Sequence, residues 1–163
     1  MTKKNNSMET EFLELIHNNQ KIIYKICRLY RDSREDQEDL FQEIVYQLWK
    51  SYPGFKRESK ISSWIYRIAL NTAIAIYRKS KISINYYEEF PEHIHPSDEK
   101  PISENEERLF WALRKLNDSE KAIISLYLED FSYQEIADIT GLGESNVGVR
   151  LNRIKNKLKE ILK

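Results

Sequence analysis

The side chains of this sequence that could do chemistry are mainly cationic and aromatic, and they concentrate in two stretches. Residues 56–81 hold seven Lys or Arg against one acid, and residues 145–163 hold six against one. Residues 82–107 between them hold eight acids against one Lys. The whole chain is neutral, with 26 basic and 26 acidic side chains, yet each basic stretch creates its own local field. This segregation favours a polyanionic partner.

The first basic stretch is also aromatic. Phe55, Trp64, Tyr66 and Tyr77 alternate with Arg57, Arg67 and Arg78. Aromatic faces that stack on bases, with cations beside the backbone, are a common way of holding single-stranded nucleic acid. For any single aromatic a structural role is the simpler interpretation, with Trp64 in the core and Tyr66 on the surface. For the block as a whole, the one-sided charge favours nucleic acid.

Other candidate sites are weaker. His93 and His95 lie in an acidic loop without a third positioned ligand, so we predict no metal site there. Cys27 is the single cysteine and falls on an apolar helix face, so we expect a core thiol. Gly-rich phosphate loops, Gly-x-Ser-x-Gly and His-Glu-x-x-His motifs are missing from the sequence. We therefore predict no catalytic residues, no metal and no cofactor.

The elements that must position the basic stretches are helices. Four Gly and four Pro in 163 residues are too few for a protein of many short strands. Apolar residues recur at spacings of three and four from Glu9 to about Arg31, before Tyr52, after Ser62 or Ser63, and from about Glu104 onward. We expect Ser62 or Ser63 to cap the third helix. The fold class is predicted to be all-α.

The helices divide into two small domains. Three prolines and many acids interrupt residues 82–107, which we interpret as a flexible acidic linker. The domains are predicted to span residues 9–81 and 108–163. No apolar run approaches the roughly 20 residues of a membrane helix, and the N-terminus lacks the apolar stretch of a secretion signal. We expect a cytoplasmic protein without membrane insertion of its own.

The sharpest local signal is a helix-turn-helix over residues 132–151. Ala137 is small where two helices must cross, Gly141 suits a left-handed turn, and Val147 can anchor the second helix. The opposite face of that helix carries polar groups and arginines suited to a DNA groove. A helical hairpin that only packs is the alternative, and the basic outer face makes us prefer DNA. The side chains on this outer face are Ser145, Asn146, Val149, Arg150, Asn152 and Arg153.

Two longer motifs resemble a known family. Residues 39–49 and 55–75 look like region 2 of bacterial sigma factors, and residues 116–121, 133–137 and 147–153 look like region 4. A short chain with only a linker between these regions resembles the extracytoplasmic-function (ECF) group of the sigma-70 family. The resemblance implies a transcription initiation factor, not an enzyme, that binds core RNA polymerase, directs it to promoters and helps melt the DNA.

The resemblance also assigns roles to residues of the first domain. The helix over residues 39–49 would dock on the clamp helices of the polymerase beta-prime subunit. The protein would also contact the beta subunit. The polar contacts of the helix would be Asp39, Gln42, Glu43 and Gln47, whereas Leu40, Ile44 and Leu48 would be core. The next segment would read the proximal promoter element and capture an unstacked base. Its contacts would be Lys56, Arg57, Lys60, Trp64, Arg67, Asn71 and Arg78, although Asn71 could equally pack between helices.

The last helix would read the distal promoter element in the major groove. Its contacts would be Ser132, Tyr133, Ser145, Asn146, Val149, Arg150 and Arg153, with the two arginines as the best candidates. Gly148 departs from the family pattern, where Lys is frequent, and either close backbone approach to DNA or tolerated local weakness would explain it. Members of the family are usually inhibited by an anti-sigma factor, so the resemblance implies such a partner.

Two other classes remain open. A helix-turn-helix regulator that acts without polymerase would need a dimerisation or ligand domain, yet a basic aromatic block lies where that domain should be. A resolvase-like recombinase would need a nucleophilic Ser or Tyr in an α/β domain, and no alternating strand pattern precedes the helix-turn-helix. Dependence on core polymerase would separate the first of these classes from a sigma factor.

Overall fold

The computed structural model describes residues 2–78 and 103–163, with side chains from residue 6 to residue 75 and from residue 103 onward. Every regular element in these ranges is helical, which confirms the all-α prediction. The backbone contacts divide them into two units. The first contains α1 up to Cys27, α2, a 3₁₀ turn and α3. The second contains the end of α1 (Arg28–Tyr30) and α4 to α7. The elements are α1 (Thr2–Tyr30), α2 (Arg34–Ser51), the 3₁₀ turn (Tyr52–Gly54), α3 (Ile61–Arg78), α4 (Glu104–Arg114), α5 (Asp118–Leu128), α6 (Tyr133–Thr140) and α7 (Glu144–Ile161).

The first unit is a bundle in which α2 packs on α3 and α1 adds an aromatic seam. Phe12 of α1 lies 5.0 Å from Trp49 of α2, and Tyr24 stacks on Phe41 at 4.7 Å. Aromatic pairs at these distances add about 0.5–1.5 kcal/mol to the free energy of folding beyond the burial of their area. The α2 core residues that the sequence predicted, Leu40, Ile44 and Leu48, are all buried.

The second unit packs α5, α6 and α7 against one another, and α4 also contacts α7. Ile123 and Leu126 of α5 and Ile136 of α6 are fully buried in the core that these helices form. Burial of such a side chain contributes about 1.5–3 kcal/mol relative to its exposed state, so these few contacts fix the helix arrangement. The apolar stripe of α7 completes the core with Val147, Leu151 and Ile154.

Local capping explains where most of the helices begin. Ser33 caps α2, and Asn117 forms a reciprocal capping box with Glu120 at the start of α5. The predicted cap of α3 at Ser62 or Ser63 is wrong. The helix begins at Ile61, and the amide of Trp64 donates to the carbonyl oxygen of Lys60, so Lys60 takes the capping position.

Some expectations concern residues beyond these ranges. His93, His95 and most of the predicted linker lie outside the described residues. The last part of that linker is helical, because Ser103 caps α4 and Glu104 begins it. Among the helices in the described ranges, none combines the length and apolar character needed to cross a bilayer.

Candidate nucleic-acid interface

The helix-turn-helix is built by α6, a glycine turn and α7. Ser132 caps α6 through its hydroxyl oxygen, which accepts from the amide of Glu135 at 3.1 Å. Gly141 ends α6 with a φ of 80°, a left-handed conformation that favours glycine, and its amide donates to the carbonyl of Ala137 at 2.8 Å. The buried Val147 then anchors α7. The turn chemistry predicted from the sequence is therefore present, and it fixes how α7 presents its outer face.

The outer face of α7 is exposed, as DNA reading requires. Ser145, Asn146, Val149 and Arg153 all lie on the surface, and Asn152 lies between them on the same face. A helix with exposed polar and cationic groups on one side fits the major groove of B-form DNA. Ser132 is exposed but its hydroxyl is engaged in capping, whereas Tyr133 is 41% exposed and joins the α7 face.

Tyr133 and α7 enclose a shallow groove of about 580 Å³. A Cβ atom at Gly148 would lie 3.4 Å from the Tyr133 ring, which is ordinary van der Waals contact. The absent side chain therefore leaves the ring of Tyr133 as one wall of the groove. Its lining residues are Tyr133, Ser145, Gly148, Val149, Asn152, Arg153 and Lys155.

Lys155 is a groove residue that the sequence analysis did not single out. Its ammonium group donates to the hydroxyl of Tyr127 at 2.9 Å and lies 4.3 Å from the centre of that ring. The hydrogen bond to Tyr127 raises the pKa of Lys155 above its ordinary value. The signal was in the spacing, because residue 155 follows residue 152 by three and residue 148 by seven, and so shares their helix face.

Arg150 and Arg153 differ in burial and in hydrogen bonding, although the sequence made them equal candidates for DNA contact. Arg150 is half-buried as a residue, and its guanidinium donates to the Ser119 hydroxyl at 3.2 Å and to Asn146 Oδ1 at 3.3 Å in solvent-exposed hydrogen bonds. Arg153 is exposed on the groove face. Arg150 thus links α7 to the start of α5, and part of its donor capacity is already used within the unit.

A charged contact extends this link. Lys157 forms an ion pair with Glu120 at 3.0 Å, and only 19% of the Glu120 side chain is exposed. Burial alone would raise the pKa of Glu120, but the Asn117 amide, Lys157 and Arg150 together hold it below its ordinary value. The capping box of α5 and α7 are therefore joined electrostatically.

The candidate proximal-element residues lie after the 3₁₀ turn and along α3. Lys56, Arg57 and Lys60 are exposed, and Arg57 has a φ of 57°, a left-handed conformation that costs a non-glycine residue about 1 kcal/mol. Backbone strain of this kind is common at functional loops. This loop therefore offers three cations on a constrained backbone.

Aromatic packing at the start of α3 corrects the picture of a free aromatic block. Trp64 is half-buried and stacks on Phe55, with ring centres 4.6 Å apart, and Tyr52 lies 6.4 Å away. Tyr66 is only 1% exposed and belongs to the core, so it cannot stack on a base, and the simpler interpretation that placed it on the surface is also wrong. The Phe55–Trp64 pair fastens the cationic loop to α3.

The other α3 candidates follow a single helix face. Trp64, Arg67 and Asn71 are spaced by three and four, and both Arg67 and Asn71 are exposed. Exposure of Asn71 argues against the alternative role in helix packing. Arg78 ends α3 seven residues later, and its side chain lies outside the described residues.

The candidate polymerase contacts share one face of α2. Asp39 is exposed, and Gln42, Glu43 and Gln47 are half-buried. The Gln47 amide donates to Glu43 Oε1 at 3.1 Å, which orders this pair into one polar surface. The buried residues of α2 lie on another face of the helix, so these four side chains remain at least partly accessible.

Comparisons with known proteins agree with this arrangement. The family model Sigma-70 region 2 matches residues 15–82, and Sigma-70, region 4 matches residues 107–158. RNA polymerase sigma factor SigV of Bacillus subtilis is 29% identical over 152 residues, which cover 93% of this chain and 90% of SigV. Sigma factor SigZ of the same organism is 33% identical over 132 residues, 77% of this chain and 72% of SigZ.

Solved structures show the same fold. The sigma factor RpoE of Bartonella quintana, solved in complex with the anti-sigma factor NepR, has a TM-score of 0.67 at 21% identity and covers 96% of both chains. CnrH, solved in complex with the cytosolic domain of CnrY, has a TM-score of 0.66 at 18% identity, and the match covers 94% of this chain and 88% of the CnrH chain. The ECF RNA polymerase sigma-E factor of Haemophilus influenzae is 31% identical over 148 residues, 80% of this chain and 78% of that protein. The two family models and the sequence relatives show that the chain belongs to the sigma-70 family of RNA polymerase sigma factors, in its ECF group.

Proposed function

We propose that this sigma factor binds core RNA polymerase through α2, melts the proximal promoter element with its first unit and reads the distal element with α7. The observation that carries the proposal is that both sigma-70 regions occur in one chain, each with an exposed polar or cationic face. The alternative of a regulator acting without polymerase is not favoured, because residues 15–82 match sigma-70 region 2.

Polymerase binding is assigned to the polar surface of α2. Asp39, Gln42, Glu43 and Gln47 would meet the beta-prime clamp helices, and the beta subunit would contact the chain elsewhere. The hydrogen bond between Gln47 and Glu43 supports this assignment, since it holds two of the side chains in one orientation before binding. Pre-ordering of this kind lowers the entropic cost of association.

Melting is assigned to the cationic loop and the exposed face of α3. Lys56, Arg57 and Lys60 would hold the strand backbone, and Arg67, Asn71 and Arg78 would continue the path along α3. A flipped base costs a few kcal/mol of stacking and pairing, which a preformed loop can offset. Trp64 is half-buried against Phe55, so its proposed contact with a base would use the ring edge left exposed by that stack.

Distal reading is assigned to α7 and the start of α6. Arg153 is the principal base-reading candidate, because it is exposed on the groove face. Arg150 would stabilise α7 against α5 and contact phosphate with its remaining donors, since a guanidinium carries five N–H groups. The other proposed contacts are Ser132, Tyr133, Ser145, Asn146 and Val149.

The partners and setting follow from the family. The structural neighbours RpoE and CnrH were solved in complex with NepR and with the cytosolic domain of CnrY, respectively, and NepR is an anti-sigma factor. We infer that this chain has an anti-sigma partner as well, that it acts in the cytoplasm alongside core polymerase, and that it catalyses no reaction of its own.

Transcription in vitro tests the proposal. Purified protein is mixed with bacterial core polymerase lacking any sigma factor, on sheared DNA of the source genome, and the transcript ends are sequenced. Discrete starts with a shared two-block motif upstream are expected. A polymerase that is active with another sigma factor but gives no discrete starts with this chain, and does not retain it in a pull-down, would refute the proposal.

A further inference from the structure

The centre of the α7 reading face is apolar, which is unusual for a surface that meets a polyanion. Val149 is 51% exposed there, although valine is a poor helix former and gains little burial at this position. Gly148, the preceding residue, is also a poor helix former and adds no side chain. Two consecutive residues that weaken the helix thus occupy the middle of its outer face.

Val149 is one of the residues that line the groove between Tyr133 and α7. Tyr133 and Gly148 line the same groove, with the Tyr133 ring 3.4 Å from the point where a Gly148 Cβ would lie. Asn152 and Arg153 follow Val149 by three and four residues and line the groove as well. Val149 and the Tyr133 ring thus form an apolar surface next to the amide of Asn152 and the guanidinium of Arg153.

The major groove of DNA presents one apolar recognition feature, the C5-methyl group of thymine. Asparagine pairs with adenine and arginine with guanine through bidentate hydrogen bonds, whereas valine can do neither. Building on the proposed role of α7 in distal-element reading, we propose that Val149 is a specificity residue that contacts a thymine methyl group. The distal element would then contain an A·T pair, adjacent to the bases read by Asn152 and Arg153.

Replacement of thymine by deoxyuridine tests this contact, because it deletes the methyl group and keeps every hydrogen bond. Promoters identified by start-site mapping receive single deoxyuridines at each thymine of the distal element, on either strand. With core polymerase, the unsubstituted protein should initiate about four-fold less well at one such position, the loss expected for one unburied methyl group. The Val149→Ser variant, which puts a hydroxyl where the apolar methyl groups stand, should show a ratio near one at that position.

The matched control is Asn152→Ala, a change on the same helix face. It should alter the preference for an adjacent base and keep the four-fold dependence on the methyl group. The inference is overturned if no thymine of the distal element shows methyl dependence, or if Val149→Ser keeps it.

Failure of the proposed function gives a different result, the absence of core-dependent starts. In that event, duplexes selected by the full chain alone carry the same substitutions. Methyl dependence that Val149→Ser removes would support the contact, and its absence would overturn it.

Discussion

Replacement of Arg153 by alanine should abolish discrimination at one base pair of the distal element and leave the fold intact. The guanidinium is exposed on the groove face of α7, so its removal should change the free energy of unfolding by no more than about 0.5 kcal/mol. A bidentate contact to guanine contributes about 1–3 kcal/mol of discrimination. The expected loss in promoter selectivity is therefore about 5- to 150-fold.

Arg150→Ala is the matched comparison, because it removes the same side chain one turn earlier. It deletes hydrogen bonds to Ser119 at 3.2 Å and to Asn146 at 3.3 Å. These solvent-accessible bonds should together contribute about 1 kcal/mol to stability. For a unit of this size, that loss lowers Tm by about 4–8 °C.

Run-off transcription from promoters with single substitutions in the distal element measures the selectivity, and thermal unfolding measures the stability. Retention on core polymerase should be equal for both variants and the unsubstituted protein. The reasoning is refuted if Arg153→Ala keeps full selectivity, or if it lowers Tm as much as Arg150→Ala does.

Three further changes test other parts of the structure. Glu43→Lys reverses a charge on the polar face of α2 and should weaken core-polymerase binding at least ten-fold in a titration, while duplex binding by α7 is unchanged; equal loss of both would contradict the division of roles. Gly141→Ala places a side chain at φ 80° where nothing lies within 4 Å, so backbone strain alone should cost about 1–2 kcal/mol in denaturant unfolding; an unchanged midpoint would exclude that strain. Glu120→Gln should lower the free energy of unfolding above pH 4.5. This loss of stability should vanish as pH falls through the lowered pKa of Glu120, because a carboxylate whose folded pKa is depressed stabilises the fold only while it is ionised. If the variant remains less stable at low pH, the loss is due to packing.

Periodicity and local capping carried most of the fold prediction. The apolar spacing predicted the helices, and the core residues expected in α2 and the anchor expected in α7 are buried, because a helix face is determined by contacts three and four residues apart. Asn117 and Ser132 cap their helices through partners three residues downstream, which is a local relation of the same kind. The start of α3 was missed because the backbone of Lys60, which any residue could supply, takes the capping position there.

The sequence predicted which residue types form the candidate site, but not the burial or the packing partners of several of them. The sequence could not distinguish Arg150 from Arg153, because Ser119, the partner of Arg150, lies 31 positions away in the chain. Likewise, the core position of Tyr66 and the stacking of Trp64 on Phe55 depend on how α3 packs. Helical spacing places a side chain on a face, but tertiary packing decides which faces remain exposed.

The bare backbone at Gly148 has a consequence for how binding responds to ionic strength. A lysine at this position could neutralise one more phosphate and release about one more counterion from the duplex. The logarithm of the DNA-binding constant would then fall more steeply with the logarithm of the salt concentration, by about 0.9 in slope. With this position empty, DNA binding through the proposed α7 contacts would depend less on counterion release and more on short-range contacts. Its promoter occupancy should therefore fall less steeply as cellular potassium rises than that of a relative with a cation at the equivalent position.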